Sequence, residues 1–185
     1  MTGGIPKAQL MTGEAMNRAL TRMAHEIMEQ LTPLEDVVFV GILRRGLPLA
    51  QRLAAIIEKY EHVTLPVGEV DIAMYRDDLD PAQVNVKVEA QKLPVDVTGK
   101  TVVLVDDVLH TGRSVRAAMD AILDQGRPGK IRLAVLIDRG HRDLPIRPDY
   151  VGKNVPTALS EHIGVQMAEI DGGDGVALYD GRMLR

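Results

Sequence analysis

Val102-Val103-Leu104-Val105-Asp106-Asp107-Val108-Leu109-His110-Thr111-Gly112-Arg113-Ser114 is the stretch whose reading decides the fold. With Thr101, its first residues make an unbroken apolar run of strand length, the pattern of a strand buried on both faces. The run ends in two carboxylates. A turn at Thr111-Gly112 follows, and a helical pattern runs from Ser114 to Asp124, closed by Gly126 and Pro128. Strand, loop and helix in that order are part of a parallel βαβ unit.

The same alternation recurs on either side. Val37 to Leu43 is a second buried-strand run, and Gly46 to Tyr60 reads as a helix with Leu49, Leu53, Ile56 and Ile57 facing inward. Ile131 to Ile137 is a third buried strand. Near the start, Thr12 is placed to cap a helix with Ala15, Leu20, Met23, Ala24, Ile27, Met28 and Leu31 on one side, ended by Pro33. Val63 to Tyr75 is extended, the polar Arg76 to Pro81 follows, and Val84 to Val88 is extended again. That is a hairpin-like excursion over about 74–92. Val151 belongs to a short further strand, and Val165 to Ile170 and Val176 to Tyr179 to late ones. The expected fold is α/β: a doubly wound, mostly parallel sheet flanked by helices, one domain over 1–185. Ligands of such sheets sit at the carboxyl ends of the strands. Three motifs fall there: Leu43 to Gly46, Val105 to Asp107, and Ile137 to Arg142.

Composition narrows the function classes. The 185 residues suit one compact domain with its own core. There is no Cys, which rules out disulfides, thiolate metal sites and a Cys nucleophile. The first ten residues lack the apolar core of a signal peptide. No apolar run approaches the ~20 residues of a membrane span. A cytoplasmic location is expected. The net charge of −4 argues against a generally nucleic-acid-binding surface but leaves room for a local basic patch.

The chemistry of the opening stretch follows from its residue types. Backbone N–H groups at a helix start, beside the small hydroxyls of Thr111 and Ser114, form an anion site. Gly112 lets the chain approach a phosphate closely. The Asp106-Asp107 pair would repel that phosphate unless it faces sugar hydroxyls or a Mg²⁺ carried by the ligand. Taken alone, an Asp pair is a helix cap or a solvated turn, and Thr-Gly is uninformative. Together they describe a site for a ribose 5-phosphate.

This stretch resembles the signature of the type I phosphoribosyltransferases that binds 5-phosphoribosyl-1-pyrophosphate (PRPP). The resemblance extends to residues 19–26, 40–46, 71–79, 135–145 and 150–157, which are similar to one branch of that family. The branch comprises the bifunctional pyrimidine operon attenuation proteins and uracil phosphoribosyltransferases. The match runs from about Leu10 to Tyr179. His110 stands where some relatives carry Tyr, Ser114 replaces a Thr, and Asp80 to Gln91 is loosely matched.

The resemblance implies roles. Asp106 and Asp107 would hold the ribose hydroxyls and, indirectly, Mg²⁺-PRPP. Val108, Leu109, His110, Thr111, Gly112, Arg113 and Ser114 would complete the PRPP site, with 110–114 as the 5′-phosphate loop. Arg44, Arg45 and Gly46 would form the pyrophosphate loop, where a guanidinium fork suits linked phosphates. Arg76 would be catalytic, on a mobile loop closing over the site. Ile137, Asp138, Arg139 and Gly140 would receive the base beneath a small hood, largely through backbone groups. The implied reaction is uracil plus PRPP giving UMP and diphosphate, with Mg²⁺ as cofactor and no metal ligand assigned to the protein itself.

The branch also binds leader mRNA of pyrimidine operons, with the uridine nucleotides UMP and UTP as co-effectors. The implied contacts are Thr21, Arg22, His25, Arg142, Arg147 and Lys153. Thr21 and His25, four residues apart, share a helix face. Read without the resemblance, these are an ordinary polar face and a charged loop. A homodimer or larger homo-oligomer would gather them into a basic concavity. Three alternatives remain open at this point: transfer to another base, a salvage enzyme without an RNA role, and a regulator that has lost catalysis.

Overall fold

The structure is a computed structural model that describes residues 6–72 and 93–181. Its elements run β1 (Ala8–Thr12), α1 (Gly13–Gln30), β2 (Val37–Ile42), α2 (Gly46–Glu61), β3 (Val67–Val70), β4 (Thr101–Leu109), α3 (Arg113–Leu123), β5 (Lys130–Asp138), β6 (Tyr150–Asn154), β7 (Glu161–Gln166), α4 (Ala168–Asp171) and β8 (Gly175–Asp180).

β3-β2-β4-β5-β6 form one sheet in that order, and every pairing in it is parallel. β2 is buried along its whole length, as its unbroken apolar run requires. Phe39 and Val37 face one layer with Val103, Leu49, Leu53 and the inner side of α1. Val38, Val40 and Ile42 face the other, with Val102, Leu104 and the apolar side of α3. The helices thus cover both faces, and the expected doubly wound architecture is present.

Helix α1 starts where the sequence places it. Thr12 is its N-cap, and the Thr12 hydroxyl accepts from the Ala15 N–H at 3.2 Å. Met16, Ala19, Leu20, Met23, Ala24 and Ile27 form its buried stripe.

The two ends of the chain meet in a second, antiparallel sheet, β1-β8-β7. This is the small hood, and two of its features depart from the expectation. Ala8–Thr12 is a strand, which a five-residue segment beside a strong helix signal does not announce. The late strand is Glu161–Gln166, not Val165 to Ile170. The chain leaves the sheet there because Asp171 accepts from the Met167 N–H at 2.9 Å and Asp174 from the Ala168 N–H at 2.8 Å, curling 168–171 into a helical turn. The extended segment before residue 72 is shorter than expected, forming a strand only over Val67–Val70. The excursion over about 74–92, with Arg76, lies outside the described residues.

Candidate active site

β2 connects outward to β3, while β4 pairs with the other edge of β2. The strand order therefore reverses between β2 and β4, and a crevice opens at their carboxyl ends. The loop 43–45 leaves β2 on one side of it, and the loop 110–112 leaves β4 on the other.

Two glycines bring these loops together. A Cβ on Gly46 would stand 2.3 Å from the Val105 carbonyl oxygen, and a Cβ on Gly41 would stand 2.4 Å from the Leu47 backbone. Only glycine allows that approach. It seats the start of α2 against β4, one residue before the acid pair. Within this loop the Leu43–Arg44 peptide is cis. Arg44 is exposed and Arg45 half-buried.

β4 is longer than its apolar run. Asp106, Asp107, Val108 and Leu109 continue the strand, and Val108 and Leu109 lie beside Ile137 and Asp138 of β5. Asp106 is buried and accepts from the Asp107 N–H at 3.0 Å, while Asp107 accepts from the Val108 N–H at 2.8 Å. Burial, reinforced by the Asp107 charge, pushes the Asp106 carboxyl well above its ordinary range. Burial also raises Asp107, opposed by the Val108 N–H and by the nearby Arg45 charge. An acid pair this dry favours a shared proton or a ligand that supplies donors and positive charge.

Beyond the pair, Gly112 caps α3 with φ of 93°, a left-handed conformation that suits glycine. Asp106 and residues Val108 through Val115 line a cavity of about 320 Å³. His110, Thr111, Arg113 and Ser114 are half-buried on its wall. Burial, then the charges of Arg139, His141 and Arg142, hold the His110 imidazole below its ordinary pKa despite Asp143. That favours the neutral ring. His110 meets His141 edge-on at 6.1 Å between centroids.

The expected base segment begins in the last two residues of β5, and the chain beyond it folds over the phosphate loop. Asp143 and Leu144 donate backbone N–H groups to the Thr111 carbonyl at 3.0 and 3.1 Å. The Asp138 carbonyl accepts from Val155, and the Arg139 N–H donates to Leu109. Those two backbone groups are engaged by neighbours, as Ile137 is in the β5 ladder; the Gly140 N–H donates to Asp138 and its carbonyl accepts from Arg142, which narrows the expected backbone contacts to the Arg139 carbonyl. The Arg139 side chain is buried and points into the hood. It donates to the Thr157 hydroxyl at 3.0 Å and to the Ala158 and Glu161 carbonyls at 3.3 and 2.6 Å. It fastens the hood to the end of β5.

The six expected RNA contacts divide. Arg22 donates to the Val151 and Gly152 carbonyls at 2.9 and 2.7 Å, which brings Thr21, Arg22 and His25 of α1 alongside Lys153 of β6. His25 rests on Tyr60, ring centroids 4.8 Å apart. Lys153 donates to the Leu10 carbonyl but remains exposed, and Arg147 is exposed on the loop before β6. Arg142 turns inward instead. Its guanidinium donates to Ile146, His110 and Gly140 carbonyls and to the Asp138 carboxylate at 2.9, 2.9, 3.2 and 2.6 Å. It braces the phosphate and base loops.

One part of the site escaped the sequence reading. Arg45 is paired with Asp171, and Arg52 with Glu169 and Asp174, across more than 110 positions of chain. The only sequence signal is two arginines seven apart on one helix and three acids in a late turn. Nothing local connects them.

The sequence matches the family model of the phosphoribosyl transferase domain over residues 7–170. It is similar to proteins described as bifunctional protein PyrR. One from Clostridium perfringens is 56% identical over 174 residues, covering 94% of this chain and 98% of that protein. One from Brevibacillus brevis is 57% identical over 174 residues, covering 94% and 97%. One from Chloroflexus aurantiacus is 58% identical over 173 residues, covering 94% and 95%. In fold it is similar to a hypoxanthine phosphoribosyltransferase from Staphylococcus aureus, with TM-score 0.74, 17% identity and 100% of both chains covered. A hypoxanthine phosphoribosyltransferase from Trypanosoma cruzi gives TM-score 0.69 at 18% identity, covering 95% of this chain and 97% of that one.

Proposed function

The chain belongs to the phosphoribosyl transferase family, and on that premise we propose that it is a regulator of pyrimidine biosynthesis genes that binds leader RNA in response to uridine nucleotides, and that it also catalyses uracil plus PRPP giving UMP plus diphosphate. The observation that carries the catalytic half is the buried Asp106-Asp107 pair, delivered by β4 to the strand-order reversal and followed at once by a helix-start phosphate loop. The regulatory half rests on the likeness, over nearly full length, to proteins described as bifunctional.

In this reading the 5′-phosphate takes the 110–114 loop and the α3 N-terminus. The ribose hydroxyls meet the acid pair. The diphosphate lies toward Arg44, Arg45 and Gly46, and Arg76, outside the described residues, is assigned to the same ligand. The base enters between the 137–140 segment and the hood. The C1–O bond to diphosphate breaks, the bond from C1 to uracil N1 forms, and the N1 proton is lost. The transition state is loose and positively charged at the ribose, so positioning and electrostatics carry the rate. A PRPP that brings hydroxyl donors and a cation suits two carboxylates whose burial resists bare ionisation.

Mg²⁺ fits the same donor set. Among the described residues no three His, Cys, Asp or Glu groups converge to hold a metal alone. Diphosphate oxygens, ribose hydroxyls and water would supply most of the all-oxygen shell Mg²⁺ takes, with Asp106 and Asp107 holding it indirectly through the ligand. When bound it would neutralise charge on the leaving diphosphate.

No helix among the described residues is long and apolar enough to cross a membrane, in keeping with action in the cytoplasm on a free nucleotide pool. For RNA, the supporting feature is the α1–β6 contact that gathers Arg22, His25 and Lys153 on one exposed side. Self-association would extend that side. One domain over 1–185 is in keeping with a hood built from both ends of the chain. The test is a base panel with PRPP and Mg²⁺, following nucleotide and diphosphate release. UMP formation from uracil, with hypoxanthine and orotate inert, supports the reading. Turnover of another base, or of none, overturns its catalytic half.

A further inference from the structure

Arg45, the N-cap of α2, and Arg52 within it stand seven residues apart, two turns along one face. Both reach the segment that closes the hood. Arg52 makes two bidentate pairs, to Glu169 at 2.8 and 2.7 Å and to Asp174 at 2.9 and 2.8 Å. These contacts hold the 169–174 turn in one place against α2. The turn carries Asp171 to Arg45, whose Nη2 lies 3.1 and 3.2 Å from the two carboxylate oxygens.

Arg45 has little else to orient it. Among the described residues its buried Nε has no hydrogen-bond partner, and Arg45 caps α2 without a side-chain cap bond. The pair is only partly exposed, at 33% for the Arg45 side chain and 26% for that of Asp171. Among the described residues Asp171 engages Nη2 alone, which leaves the two donors of Nη1 for a ligand. Arg45 also borders the crevice, since the next residue, Gly46, packs on Val105 beside the acid pair.

We propose that Asp171 is a positioning residue for phosphoribosyl transfer: it holds the Arg45 guanidinium in the direction of the PRPP diphosphate, and the Arg52 clamp holds Asp171. The hood that covers the base and the loop that takes the diphosphate are thereby one electrostatic unit. The inference rests on the reading of 44–46 as the pyrophosphate loop. Asp171 touches no reacting atom and acts through Arg45 alone.

The test is steady-state kinetics on the full chain with uracil, PRPP and Mg²⁺, using Asp171→Asn, Arg45→Ala and the double variant. Asn keeps an acceptor for the Met167 N–H, which Asp171 also holds, and removes the charge and one of the two oxygens that accept from Arg45. Glu26→Gln, which breaks the exposed Arg22 pair on α1 outside this unit, serves as a control. Asp171→Asn is expected to raise KM for PRPP about five- to tenfold, the cost of reordering one long side chain on binding. It should change kcat less than about twofold, and KM for uracil should hold. Arg45→Ala should raise KM for PRPP further, and the double variant should be no worse than Arg45→Ala. Glu26→Gln should leave KM for PRPP unchanged. If Arg45→Ala raises KM for PRPP while Asp171→Asn does not, or if the two effects multiply, Asp171 is not the positioning residue. If Arg45→Ala leaves KM for PRPP untouched, the pyrophosphate-loop reading itself fails.

Discussion

Replacing Gly46 with Ala tests the geometry on which the catalytic reading stands. The added Cβ would lie 2.3 Å from the Val105 carbonyl oxygen and 3.2 Å from the Gly41 carbonyl carbon. Both are backbone atoms, so no rotamer change relieves the contact. Nonbonded atoms settle about 3.5 Å apart, so the start of α2 must retreat from β4 by about 1 Å. Overpacking of this kind costs about 1–3 kcal/mol, or about 2–10 °C in melting temperature for a chain of this size. The retreat moves Arg45 away from the acid pair, and a displacement near 1 Å costs on the order of 100-fold in rate. Gly46→Ala should therefore fold, melt a few degrees lower, and lose about 100-fold in kcat/KM for PRPP. Calorimetry and a continuous diphosphate assay read both numbers. Gly173→Ala is the control, because a Cβ there meets nothing within 4 Å. A Gly46→Ala protein that matches wild type in both measurements would refute the claim that this contact sets the site.

Three further outcomes follow from particular contacts. Asp106→Asn should abolish most turnover yet raise stability at neutral pH. The folded-state pKa of Asp106 lies above the ordinary value of 3.8, so between those two values the unfolded chain binds fewer protons and stability falls as pH rises. The variant escapes that loss, so its melting advantage should grow from pH 4 upward; an advantage independent of pH would contradict the burial argument. Arg139→Met leaves the Thr157, Ala158 and Glu161 acceptors without their donor, at about 1–3 kcal/mol. Thermal unfolding should show the loss, and KM for uracil should rise more than KM for PRPP, since the hood is what loosens. Arg147→Ala, on an exposed loop, should weaken leader-RNA binding and lower the slope of log affinity against log salt by about one unit, while UMP synthesis continues; an unchanged slope removes Arg147 from the interface.

The parallel sheet was legible because it is encoded locally. Val37 to Ile42 and Val102 to Val105 are apolar throughout, and only a strand covered on both faces tolerates that. The phosphate loop was legible for the same reason, with its carboxylates, hydroxyls and glycine within thirteen consecutive residues. The hood was harder to see. Ala8–Thr12 has no partner within reach in sequence and pairs with Gly175 to Leu178 at the far end of the chain. Residues 168–171 carry the apolar Ile170 that extended the expected strand, but carboxylate caps at Asp171 and Asp174 turn the chain. Arg142 shows the limit most plainly. Its charge in a surface-like loop reads as a phosphate contact, yet four acceptors turn it inward. Asp171 shows the converse, an unremarkable acid given its role by an arginine 126 positions away.

The most direct test of the account as a whole is a titration with pyrimidine-operon leader RNA, with and without UMP, at two salt concentrations. A nucleotide-sensing regulator built on this site predicts tight binding that UMP strengthens and that persists at the higher salt. Weak binding, indifferent to UMP and lost at the higher salt, is non-specific phosphate contact. It would contradict the regulatory half and leave a uracil salvage enzyme.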